Sequence, residues 1–164
     1  MIFVTVGTHE QPFDRLLKKV DSLKKNGLRD EEVVIQTGFS NYVPENCEYE
    51  KFFGHDEMKD YVRKARIVIT HGGPSSFIMP LQIGKIPIVV PRMEKYNEHV
   101  NNHQVDFVNQ VADRQKNIIV VDDMNNLEDT LINYNQIVAS MNQGISSNNE
   151  KFNERLQDIV DNLF

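Results

Sequence analysis

The chain alternates short apolar runs with longer stretches that are apolar on one side only. Residues 1–6, 32–37, 67–70 and 86–90 are rich in Val, Ile and Phe, with glycine or proline close behind. Such runs predict parallel strands buried on both faces. Between them the apolar positions switch to helical spacing. From Pro12, a residue suited to a first helical turn, Phe13, Leu16, Leu17, Val20 and Leu23 lead to a stop at Gly27. A second helix is predicted over about 56–64, with Met58, Tyr61, Val62 and Ala65 inward. A third opens at Gly72 and Gly73 and ends at Gly84, and a fourth spans 98–111 through Val100, Phe107, Val108 and Val111. A short extended piece at 49–53, a strand at 117–121 and a helix at about 126–138 complete the pattern. Strands alternating with helices predict an α/β fold: one domain over 1–140, a parallel sheet with helices on both faces. The Asn-, Ser- and Gly-rich stretch 141–149 reads as a linker. The segment 150–164, with Phe152, Leu156, Ile159, Val160 and Leu163 on one face, reads as an amphipathic helix that packs back on the domain or docks on a partner.

Composition narrows the picture. A chain of 164 residues has material for one well-cored domain rather than two. Its net charge of −6 argues against nucleic acid as the main ligand. The one cysteine, Cys47, excludes an internal disulfide and a cysteine zinc cage. No apolar run approaches the roughly 20 residues that span a bilayer. The start, MIFVTVG, has neither the basic flank nor the length of a signal sequence. A cytoplasmic protein is expected, with any membrane contact peripheral.

The candidate chemistry gathers where strands end. Gly72 and Gly73 join a strand to a helix, with Pro74 at its first position and Ser75 and Ser76 offering hydroxyls in its first turn. Backbone N–H groups and the helix dipole at such a junction suit a phosphate. The alternative is a turn that only packs the helix on the sheet. Pro80 falls inside this helix and removes one of its hydrogen bonds. Gly7 and Thr8 end the first strand at the same edge, and His71 ends the strand before the glycines. His9, next to Glu10, suits a general base, or is simply a solvated loop histidine. Glu98, His99, Asn102, His103 and Gln104 cluster after the 86–90 strand. His99 and His103 have zinc-like spacing but no HExxH pattern, so polar contacts to a sugar suit the cluster better than a metal.

Three segments in one order, VTVGTHEQPFDRL, ITHGGPSSFIMPLQIGKIPIVVPR and NEHVNNHQVDF, resemble the C-terminal, nucleotide-sugar-binding half of GT-B glycosyltransferases of family 28. Among these the chain is similar to the small soluble subunits of two-component bacterial capsule and exopolysaccharide glycosyltransferases. It is similar also to the catalytic subunit of the eukaryotic dolichol-linked N-acetylglucosaminyltransferase. The resemblance implies a Rossmann-like domain and a UDP-sugar donor. It places the diphosphate at Gly7, Thr8, His71, Gly72, Gly73, Ser75 and Ser76, the uridine at Phe53, and the sugar at Glu98, Asn102, His103 and Gln104. It further implies inverting transfer of a hexose, without metal or cofactor, to a lipid-linked saccharide acceptor held by a membrane-anchored subunit in surface polysaccharide synthesis. The general base is then His9 or a group of the partner. Asp122 and Asp123 read as a helix start rather than a metal-binding pair. Met79 stands where the family commonly places an acidic residue for the ribose. A non-catalytic nucleotide-binding subunit and a nucleotide-sugar epimerase are the other readings, the chain being short for an epimerase.

Overall fold

The computed structural model describes residues 1–141. Its strands are β1 (Ile2–Thr5), β2 (Val33–Gln36), β3 (Glu48–Glu50), β4 (Ile67–His71), β5 (Ile88–Val90) and β6 (Ile119–Val120). They form one parallel sheet in the order β3-β2-β1-β4-β5-β6. The central pair sets Val4 opposite Ile69 and Thr5 opposite Thr70. The helices are α1 (Asp14–Asn26), α2 (His55–Lys64), α3 (Pro74–Gln82), α4 (His103–Gln115), α5 (Leu127–Ile132) and α6 (Tyr134–Met141).

The strand pleat divides the core. Ile2, Val4, Ile67, Ile69, Ile88 and Val90 pack with Leu16, Leu17 and Val20 of α1 and Leu127 and Leu131 of α5. The alternate residues Phe3, Val34 and Val68 meet Val62 of α2. Val89 meets Phe77 and Leu81 of α3 and Val108 and Val111 of α4. Burial of a side chain of this size stabilises by about 1.5–3 kcal/mol. Both faces are therefore covered, which is why the strands carry no polar alternation. The Lys85 ammonium donates to the carbonyls of Val62, Arg63 and Ala65 and closes the end of α2 beside α3.

Several element boundaries differ from the sequence pattern. Pro12 lies ahead of α1, whose first residue is Asp14, with Phe13 capping it. The extended piece expected at 49–53 is the exposed edge strand β3, at Glu48–Glu50. The helix expected from Glu98 starts at His103, because Glu98 turns inward to the Arg15 guanidinium. The helix expected over 126–138 is two helices. Asn133 ends α5, and the next residue, Tyr134, is buried with its hydroxyl donating to the Ile86 carbonyl. Asp123 opens the 3-10 turn Met124–Asn126 by accepting from the Asn125 N–H, as expected of a helix start. Residues 142–149 of the expected linker and the expected helix at 150–164 lie outside the described residues; Met141 ends α6.

Candidate functional site

Strand order reverses between β1 and β4, and loops leaving the carboxyl ends of strands on either side of such a point diverge to make a crevice. A cleft of about 800 Å³ opens there. Thr5, Gly7, Thr8 and His9 line it from β1, His71 from β4, and Ser75, Ser76, Met79 and Gln82 from α3. Gln36, Phe53, His55, Met58 and Lys59 complete its far side. The volume falls within the range of small-molecule sites. None of its lining residues is acidic, in a chain of net charge −6.

His71 organises the near wall. It is buried, and glycines stand on either side of its ring. A Cβ at Gly7 would come within 2.2 Å of His71 Nε2, and one at Gly73 within 2.1 Å of Cε1. Gly7 also holds a φ of +74°, which favours glycine. Nδ1 accepts from the Gly73 N–H, so the proton sits on Nε2, which donates to Ser76 Oγ at 2.9 Å. The Ser76 hydroxyl proton is thereby left for an acceptor in the cleft. Burial, helped by the Arg92 charge, pushes the imidazole pKa down to about 3, so the ring is neutral at physiological pH.

The far wall is fixed by Gln36. Its Oε1 accepts from the Phe53 N–H at 3.0 Å, and its Nε2 donates to Thr5 Oγ1 at 3.2 Å. Thr5 Oγ1 also accepts from the Gly7 N–H. One buried amide thus sets the separation between the β1 loop and Phe53. His9 stacks on His99 with ring centroids 4.5 Å apart and bonds Gln11 Oε1 at 2.9 Å; its ring forms no hydrogen bond or ion pair with Glu10. Burial lowers the His99 pKa, helped by the charges of His9 and Arg92.

The structure sorts the residues that the sequence singled out. Gly7, Thr8, His9, Phe53, His71, Ser75 and Ser76 come together around the cleft. Gly72 and Gly73 do not line it. Their N–H groups, expected to face an anion, donate to Gln104 Oε1 and His71 Nδ1. Gln104 is likewise engaged: its Oε1 also accepts from the Arg92 N–H and ties the ends of β4 and β5 together. Glu98, expected near the sugar, lies outside the cleft lining. It is 2% exposed, and its oxygens accept from Arg15 Nε and Nη2 and the Met93 N–H. Asn102 and His103 are exposed at the start of α4, outside the cleft lining. Met79 lines the cleft. Sequence reasoning passed over Thr5 and Gln36, although each is a polar residue closing an apolar strand. It also passed over His55 and Lys59, which sit four residues apart on α2, and Arg92, whose partners lie far off in sequence.

Comparison with known proteins follows the same lines. A family model described as "Glycosyltransferase family 28 C-terminal domain" matches residues 1–163. The human "UDP-N-acetylglucosamine transferase subunit ALG13" is 37% identical over 119 residues, 67% of this chain and 10% of that protein. Its mouse counterpart of the same name is 34% identical over 123 residues, 66% of this chain and again 10% of that protein. The chain therefore spans about a tenth of the length of the curated relatives it matches. A crystal structure of the "Glycotransferase of kitacinnamycin" superposes with a TM-score of 0.52 at 18% identity, covering 99% of this chain and 38% of that one, and bears on the fold alone.

Proposed function

Because the chain belongs to the glycosyltransferase family 28 C-terminal domain family, we propose that its cleft holds a UDP-sugar and that it is the donor-binding subunit of a glycosyltransferase. The observation that carries this is the meeting, around one cleft without carboxylates, of the β1 loop, the start of α3 and Phe53. The diphosphate sits at the start of α3 against the Thr8, His9 and Ser75 N–H groups and the Ser75 and Ser76 hydroxyls. No described residue accepts from those three N–H groups. The uridine lies toward Phe53, with Met79 beside the ribose. The sugar lies toward His9, with Asn102 and His103 at the rim.

The chemistry is an inverting displacement. An acceptor hydroxyl attacks the anomeric carbon, the bond to the diphosphate breaks, and UDP leaves with both bonding electrons. Negative charge grows on the diphosphate, so fixed N–H donors and the α3 dipole stabilise the transition state more than the ground state. The acceptor's proton passes to a general base, His9 or a group of the partner. The acceptor is a lipid-linked saccharide held by a membrane-anchored subunit, and the chain works at the inner membrane face in surface polysaccharide synthesis. Among the described residues no helix is long and apolar enough to cross a membrane, so in this reading the anchor is the partner's.

Calorimetry with UDP and a panel of UDP-sugars, with and without the companion subunit, tests the reading. Uptake is expected, and at 100 times its dissociation constant the ligand should stabilise the fold by about 2.7 kcal/mol. Absence of uptake under both conditions, or a UDP complex with the diphosphate away from α3, would overturn it.

A further inference from the structure

Arg92 follows β5, yet its side chain is 0% exposed and reaches past β4 to the chain leaving β1. Nη2 donates to the Val6 carbonyl at 2.6 Å. Nη1 donates to the Gln11 carbonyl at 2.7 Å and to the Glu98 carbonyl at 3.0 Å. The guanidinium rests 5.0 Å from the centre of the Phe13 ring. Val6 and Gln11 are the two stems of the arch 7–10, which carries Gly7, Thr8 and His9 into the cleft. One planar group holds both stems, which a lysine ammonium with its single point of charge does not reproduce. By taking the Glu98 carbonyl as well, Arg92 sets His99 where His9 stacks on it. Its backbone N–H joins Gly72 on Gln104 Oε1, so the same residue is registered to the end of β4.

We propose that Arg92 is a positioning residue of the cleft: its guanidinium clamps both stems of the arch and so aims the Thr8 and His9 N–H groups at the donor diphosphate. The aim rests on the donor reading above; the clamp itself does not. Arg92 hydrogen-bonds no cleft-lining residue; its charge bears on His71, and Arg92→Lys keeps that charge, so what the fork adds passes through the arch.

Arg92→Lys, which keeps the charge and loses the fork, is the variant of choice, studied in the full chain. Amide NMR signals of Thr8 and His9 are expected to move, and the contact between the His9 and His99 rings to be lost. Affinity for UDP is expected to fall about tenfold, while affinity for uridine, which lacks the phosphates, stays within about threefold. Unchanged arch amides with unchanged UDP affinity would overturn the proposal. Equal loss for UDP and uridine would do so too, because general weakening of the fold affects both. If wild-type protein takes up no UDP, the donor reading fails and the arch amides alone decide the clamp. If Arg92→Lys does not fold, wild-type protein still answers. The Arg92 Nη protons are expected as separate, slowly exchanging signals, and signals averaged like those of surface arginines would defeat the clamp.

Discussion

Two loops at the carboxyl end of the sheet are each held by ions of opposite sign, with Asp21 and Arg92 buried and Asp14 half-buried. After β2, Asp21 accepts from the Tyr42 hydroxyl and the Glu45 and Asn46 N–H groups, and Asp14 from the Asn41 and Tyr42 N–H groups. After β1, Arg92 takes the Val6 and Gln11 carbonyls. The anions consume N–H groups, so the loop after β2 has few left for a ligand. The cation consumes carbonyls and leaves the Thr8 and His9 N–H groups without a described acceptor. The sign of the buried ion decides which backbone groups its loop has left over. Burial alone would raise the Asp21 pKa, but the Glu45, Tyr42 and Asn46 hydrogen bonds hold it below the usual carboxylate range. Its bond to Tyr42 pushes that phenol up to about 12. Burial pulls Arg92 down to about 10, still a cation at neutral pH.

The contrast can be broken hardest at the glycine wall. Gly73→Ala puts a methyl 2.1 Å from the His71 ring. It should cost about 3 kcal/mol in urea unfolding and weaken UDP binding through a displaced Ser76. Next in size, Asp21→Asn should cost about 2 kcal/mol with UDP affinity unchanged, because its loop offers the ligand nothing. Affinity lost in proportion to stability would erase the distinction between the two loops.

Acid titration separates two groups further. The unfolded His71 binds a proton near 6.5, whereas the folded one refuses it until about 3. The folded state therefore binds fewer protons in that window, and stability should fall as pH drops through it. His71→Gln should flatten that part of a stability–pH profile. Asp21 contributes stability above its unfolded value of 3.8, lost as the pH falls below that value. Only Asp21→Asn should flatten the lower part. The smallest effect is reserved for Ser76→Ala: about fivefold weaker UDP binding by calorimetry, with little change in unfolding.

The apolar runs made β1, β2, β4 and β5 legible, because burial on both faces removes alternation. The strand–glycine–helix junction at Gly73 and Pro74 was equally plain, as was the gathering of Gly7, Thr8 and Ser76 at one edge. What local pattern missed is pairing at long range. Residues 98–102 read as helical until Glu98 meets Arg15, 83 positions earlier. The glycines read as a ligand cradle, and part of their role is to make room for an imidazole. Arg92, just past the 86–90 run, drew no notice because its importance lies in carbonyls that periodicity does not see.

The clamp also has a bearing on synthesis. The Val6 carbonyl and the guanidinium that holds it are 86 residues apart. On the ribosome the 7–10 arch emerges long before its fastener. An N-terminal fragment that stops short of β5 lacks the group that holds its own 7–10 arch. The arch is therefore fastened late in translation, once the fifth strand has joined the growing sheet.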